Sequence, residues 1–144
     1  MTSATAESAV IDTSVYVETL RSGRFRDALL ALPFLVRVSA VVVAELARGA
    51  RSRQATRFVE SLSRGFPPVA PTDQDWLRSG RLVRMLADRH GYEINKVREI
   101  HFDVLIALTA RRLGATLITC NAGDFQAIRE VLPFKLIGWE VTRP

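Results

Sequence analysis

Short apolar runs alternate with helix-length amphipathic stretches along this chain, and that alternation predicts its elements. Residues 9–11 form a β-prone run ending at Asp12, and residues 15–21 have helical spacing up to Ser22-Gly23. Residues 24–32 read as a second short helix, ended by Pro33, which lacks an N–H and clashes with the preceding turn. Residues 34–38 read as a second strand, and Ser39 can cap a helix running from Ala40 to about Arg51. Residues 51–64 carry Phe58, Val59 and Leu62 as one apolar stripe, closed by Gly65. The proline-rich residues 66–71 predict a short extended edge segment. Thr72 then caps a helix reaching His90, with Trp76, Leu77, Leu82, Val83, Leu86 and Ala87 as core candidates. Residues 91–98 are polar and predict a connection that forms a mobile rim.

The last third changes character. Residues 99–114 read as a helix that is apolar nearly all round from Val104 to Ala110, which implies burial. A short buried strand follows at 115–119, then a turn at Asn121, Ala122 and Gly123. Asp124 and Phe125 start a helix to about Val131, and residues 133–137 make a last strand. Strands alternate with helices through short connections over the whole chain. The pattern predicts one α/β domain over residues 1–144, three layers deep, with a mainly parallel sheet flanked by helices and residues 1–8 as a flexible tail.

Composition narrows the class. An apolar fraction of 48% and a charged fraction of 24% are those of a soluble globular chain. The polar start lacks the layout of a signal peptide, and no apolar run approaches the ~20 residues of a membrane helix. Cys120 is the only cysteine, so no internal disulfide framework is possible, and a cytoplasmic setting fits. Net charge is +5, and all the basic residues but Lys96 and Lys135 are arginines. Guanidinium forks match phosphate oxygens, so nucleic acid is a natural partner; a merely solvated arginine-rich surface is the alternative. The spread of these arginines speaks against a membrane surface.

Four acids stand in apolar company. Asp12 sits where a strand hands over to a helix, a place that suits either an N-cap or a site. Glu45 shares a helix face with Val41 and Val42, although a glutamate there can be a plain helix former. Asp103 falls in the first or second turn of its predicted helix, where the macrodipole favours a carboxylate. Asp124 follows a later strand and is itself a possible cap. In an open parallel sheet these positions share the rim where ligands bind, and Glu45 can reach it. Converging carboxylates raise one another's pKa, which a hard cation such as Mg²⁺ or Mn²⁺ relieves. Such a pocket in a basic protein fits a phosphodiester substrate.

Other chemistries lack their residues. There is no GxxxxGK[ST] loop, GxGxxG or GxSxG, and no Cys/His cluster for zinc. Cys120 reads as a buried, inert thiol, and His90 and His101 have no ligand spacing. Asp12-Thr13-Ser14 departs from the Asp-x-Asp of haloacid-dehalogenase-like phosphotransferases.

The series IDTSV, SAVVVAELARG and HFDVLIALTARRLGATLITCNAGDF, in that order, resembles the PIN-domain ribonucleases, particularly the VapC-type toxins of toxin–antitoxin pairs. The likeness covers nearly the whole chain. It implies a metal-dependent endoribonuclease in which Asp12, Glu45 and Asp103 ligate Mg²⁺ or Mn²⁺. The fourth acid comes from the turn at 119–124, with Asp124 taken as the outer acid and Ser14, Thr119 and Asn121 as supporting groups. Where the family often has an acid, this chain has Asn121, which cannot supply negative charge. The resemblance further implies homodimers and an antitoxin whose C-terminal segment lies across the acid groove. Arg48, Arg51, Lys96 and Arg98 are the candidates for holding RNA. An inactive nucleic-acid- or partner-binding domain of the same fold and a metal-dependent DNase are the alternatives.

Overall fold

The computed structural model describes residues 6–141. Four strands form the sheet: β1 (Ser8–Ile11), β2 (Leu35–Arg37), β3 (Thr116–Thr119) and β4 (Lys135–Gly138). Their order is β2-β1-β3-β4, and every pair is parallel. Seven helices connect and flank them: α1 (Thr13–Ser22), α2 (Arg26–Leu30), α3 (Ala40–Gly49), α4 (Arg53–Gly65), α5 (Asp73–His90), α6 (Ile94–Arg112) and α7 (Ala122–Arg129). Neighbouring residues of a strand point to opposite faces, and all four residues of β3 are buried, as are Ala9, Val10 and Ile11 of β1. Both faces of the central pair are therefore covered by helices, which is the three-layer arrangement. The edge strands are far more open.

The core has its centre on α6. Ile100, Val104, Leu105, Ile106, Ala107, Leu108 and Ala110 of that helix are at most 3% exposed. Each fully buried Leu or Ile contributes about 1.5–3 kcal/mol of transfer free energy, so α6 anchors the sheet. Its all-round apolar stretch, read from the sequence, is therefore real. Among the described residues no helix is long and apolar enough to cross a membrane.

Local chemistry sets the helix ends. The Ser39 hydroxyl accepts from the Val41 and Val42 amides at 3.1 and 3.4 Å and so starts α3 at the end of β2. Thr72 and Asp75 form a reciprocal capping box at the head of α5. Gly23 and Gly91 close α1 and α5 with φ of 72° and 65°, which a side chain would resist.

Several boundaries differ from the sequence expectation. Residues 94–98 are not a polar connection but the start of α6, where Val97 and Ile100 turn inward to the core while Ile94 stays exposed. Asp103 consequently lies in the third turn, beyond the reach of the helix macrodipole. α7 starts at Ala122, two residues before the expected Asp124, with Asn121 at its N-cap position. The extended segment at 66–71 contributes one parallel bridge, Ser39 to Val69, alongside the end of β2. The tail expected at 1–8 lies outside the described residues at 1–5. Ser8 pairs with Leu35, and the Glu7 carbonyl accepts from the Leu35 amide at 2.8 Å, so ordered structure begins before Ala9.

Candidate active site

The chain leaves β1 towards β2 and leaves β3 towards β4, so β1 and β3 flank a topological switch point. Beyond the carboxyl ends of two such strands the connecting loops diverge and leave a crevice. Asp12 stands at the end of β1 and Thr119 at the end of β3. The Asp12 amide donates to the Ile118 carbonyl at 2.9 Å, which pins the residue to the sheet.

A hydroxyl network fixes the Asp12 carboxylate. Ser14 Oγ and Thr119 Oγ1 both donate to Oδ2, at 2.6 and 2.8 Å. Each hydroxyl oxygen in turn accepts a backbone amide: Cys120 N to Ser14 at 3.0 Å and Asn121 N to Thr119 at 2.8 Å. Each hydroxyl thus accepts one amide and gives its single proton to the Asp12 carboxylate, which can only accept. Asp12 occupies the N-cap position of α1 but its side chain makes no capping hydrogen bond. Burial raises its pKa, while Ser14, Thr119 and the nearby amides oppose that rise by favouring the charged form.

The other acids arrive on separate helices. Glu45, on α3, accepts from Thr13 Oγ1 at 2.8 Å, which ties it to the start of α1. Its pKa is raised by burial and further by the Asp12 charge, against the Thr13 hydrogen bond and Arg48. Asp103, on α6, lines a cleft of about 270 Å³ together with Glu45, Asn121 and Asp124. No described residue donates a hydrogen bond to its carboxyl. Burial, then Asp12, Glu45 and Asp124 in turn, push its pKa up to about 8, with Lys96 opposing. The electrostatic coupling of Asp103 to all three other acids places the four around one region. Asp124 is the outer member: Lys96 Nζ donates to Oδ1 at 2.6 Å and Asn121 Nδ2 to Oδ2 at 2.9 Å.

The basic candidates divide. Arg48 and Arg98 line the same cleft, with the Arg48 guanidinium 5.6 Å from the centre of the Phe102 ring. Lys96 reaches the cleft only through its ion pair with Asp124, which lines it. Arg51 is not brought to the cleft; it lines a separate depression at the start of α4 with Arg53 and Arg57. The break at Ala50 between α3 and α4 turns it away. Sequence reasoning missed Thr13, the Glu45 partner, and the cleft residues Glu99 and Phe102. For Thr13 a signal existed, since it follows Asp12 directly. Cys120 has its thiol pKa raised by burial, in keeping with an inert role. His101 Nε2 is hydrogen-bonded to the buried Ser79 hydroxyl at 2.9 Å, away from the acids.

The donor set is chemically that of a hard divalent cation: carboxylate oxygens with no histidine or thiolate. Among the described residues no three such side chains are closed around a single point. The reason is visible in their present partners, since Asp12, Glu45 and Asp124 are each turned to a hydroxyl or an ammonium. Asp103 alone has no donor, and a half-buried carboxyl pressed by three like charges is the group that gains most from a cation. In donor type, though not in their present arrangement, the residues suit one.

The sequence model of the PIN domain matches residues 9–131. No curated protein sequence matches the chain significantly. Among solved structures, VapBC-1 from nontypeable Haemophilus influenzae superposes with a TM-score of 0.66 at 24% identity, over 92% of this chain and 98% of that one. VapBC-5 from Mycobacterium tuberculosis, of the VapBC family of toxin-antitoxin systems, gives 0.62 at 23%, over 92% and 98%. VapBC2 from Rickettsia felis, bound to a DNA fragment from its promoter, gives 0.65 at 21%, over 92% and 99%.

Proposed function

The chain belongs to the PIN domain family, whose members are generally nucleases, and on that premise we propose that it is a Mg²⁺- or Mn²⁺-dependent endoribonuclease, the toxin of a type II toxin–antitoxin pair. The observation that carries this reading is the Asp103 carboxyl, which shares one cleft with Glu45 and Asp124, receives no hydrogen bond from any described residue and feels the charge of Asp12 as well. Such an arrangement destabilises the isolated fold, and its natural complement is a divalent ion facing a phosphodiester.

Asp12, Glu45 and Asp103 would hold the ion, with Asp124 as the outer acid. When bound, the ion supplies Lewis acidity to the scissile phosphate and lowers the pKa of water. The chain's own groups do the positioning. Ser14 and Thr119 keep the Asp12 carboxylate oriented and favour its charged form against burial, through the two bonds to Oδ2. Thr13 does the same for Glu45. Arg48, stacked on Phe102, and Arg98 bind the phosphodiester backbone at the mouth of the cleft. The P–O bond to the 3′ oxygen breaks as water adds to phosphorus, leaving a 5′-phosphate and a 3′-hydroxyl. No side chain serves as nucleophile. With no aromatic platform in the cleft beyond Phe102, selectivity rests on RNA shape.

The likeness to VapBC assemblies supports an antitoxin partner, and a homodimer is the state in which we expect the toxin to work in the cytoplasm. The test is incubation of purified, partner-free protein with structured RNA and, in parallel, a DNA oligonucleotide of the same sequence. RNA cleavage that requires Mn²⁺ and disappears in EDTA and in Asp12→Asn is the expected result. Cleavage persisting in either, or confined to DNA, overturns the proposal.

A further inference from the structure

Asp124 is the outer acid of the proposed site, yet both of its oxygens are engaged. Asn121 holds Oδ2 at 2.9 Å, and Lys96 holds Oδ1 at 2.6 Å from a different helix. The ion pair is partly buried, with side-chain exposures of 28% for Lys96 and 25% for Asp124. Its attraction is therefore less screened than that of a surface pair. Lys96, Glu99 and Asp103 follow i, i+3, i+7 spacing and so share one face of α6. Asp103 and Asp124, the acid that holds the ammonium, line the same cleft, and the backbones of Lys96 and Asp103 are about 10 Å apart along the helix axis.

A lysine suits a contact meant to be exchanged. Its charge is compact and sits on a flexible stem, whereas an arginine fork would grip both carboxylate oxygens. Among the described residues the Lys96 head also meets the Tyr92 ring, with the nitrogen 5.8 Å from its centre, a hold weak enough to leave.

We propose that Lys96 is the internal counter-ion of the acid cleft, competing with a divalent cation for Asp124 and, once displaced, presenting its ammonium to a phosphate of the RNA. The inference rests on the metal-nuclease reading above. No covalent bond changes. An ammonium leaves Asp124 as a divalent cation is taken up, and a substrate phosphate then receives that ammonium. Cation uptake and RNA binding are coupled as a result, and the coupling is reciprocal.

The experiment is calorimetric titration of MnCl₂ into the full chain at fixed ionic strength, for wild type, Lys96→Met and Lys96→Gln, followed by KM for RNA at saturating Mn²⁺. Both variants are expected to bind Mn²⁺ roughly five- to tenfold more tightly, the scale of one partly screened charge removed from beside a ligand. Their KM for RNA should rise severalfold. Lys96→Gln keeps a hydrogen-bond donor without the charge, so wild-type affinity in that variant would mean Lys96 merely tethers Asp124, and the proposal falls. Unchanged or weaker Mn²⁺ binding in Lys96→Met also overturns it, while leaving the metal-nuclease reading intact. Absence of Mn²⁺ uptake in all three proteins overturns both.

Discussion

At the open end of the α5–α6 hairpin, Asp75 is only 8% exposed, yet its carboxylate is supplied with two donors, both to Oδ2. It accepts from the Thr72 amide at 3.0 Å and from Arg112 Nε at 3.0 Å, and its own amide donates to Thr72 Oγ1 at 3.1 Å. Halfway along α6, Asp103 is more open than Asp75, accepts nothing from the described residues, and faces three other acids. One carboxylate is built into the fold, and the other is held against its own electrostatic preference. Burial does not separate a structural acid from a functional one; the supply of donors does.

The two acids should respond to substitution in opposite ways. Asp103→Asn is expected to lower Mn²⁺-dependent RNA cleavage by roughly 10²–10³-fold, the scale of losing one stabilising group at a reacting centre. In EDTA at pH 8 the same change should stabilise the fold, by on the order of 1–3 kcal/mol, because it removes an enforced buried charge. Asp75→Asn should instead cost stability and leave cleavage alone. It breaks a partly exposed ion pair with Arg112 and should cost about 1–2 kcal/mol in chemical denaturation, with kcat unchanged. Loss of stability in Asp103→Asn would contradict the contrast directly.

The pH dependence follows from the same difference. The Asp103 carboxyl titrates near 3.8 in an unfolded chain and at about 8 in the fold. Between those values the folded chain holds a proton that the unfolded chain has released, so stability in EDTA falls as pH rises through that window. Asp12 and Glu45, also raised, act in the same direction. Thermal unfolding in EDTA from pH 5 to pH 8 should show a decline that Asp103→Asn flattens and Asp75→Asn leaves in place. Added Mn²⁺ should reverse it.

How much of this was legible beforehand depends on the range of the interaction. Asp12 could be found because a strand ending directly in an acid is a local signal, and Glu45 because its valine neighbours lie one helical turn away. The parallel sheet and the buried α6 were equally legible, since periodicity and apolar runs record burial. Asp103 lines the cleft with Glu45 and Asp124 as expected, but it lies in the third turn of α6 rather than at a helix start. The polar look of residues 91–98 hid the first turn of α6 and moved the acid artificially close to a helix start. Lys96 appeared free for phosphate because its partner Asp124 is 28 residues away, and such a pair leaves no mark in sequence. Arg51 looked equivalent to Arg48 until the bend at Ala50 separated them.

A smaller effect concerns the support of Asp12. Thr119→Val deletes one of the two donors to Oδ2 and leaves the Asn121 amide without its acceptor. It should reduce cleavage about tenfold and cost about 1–2 kcal/mol of stability, measured by steady-state kinetics and urea denaturation. A full loss of activity would mean that Thr119 itself meets the substrate.

The most direct measurement is Mn²⁺ binding followed by electron paramagnetic resonance at pH 8, comparing wild type with Asp103→Asn and Asp75→Asn. The expected result is uptake by wild type and by Asp75→Asn, with at least about a tenfold loss of affinity in Asp103→Asn. Equal Mn²⁺ affinity in wild type and Asp103→Asn would contradict the assignment of the acid cleft as a cation site.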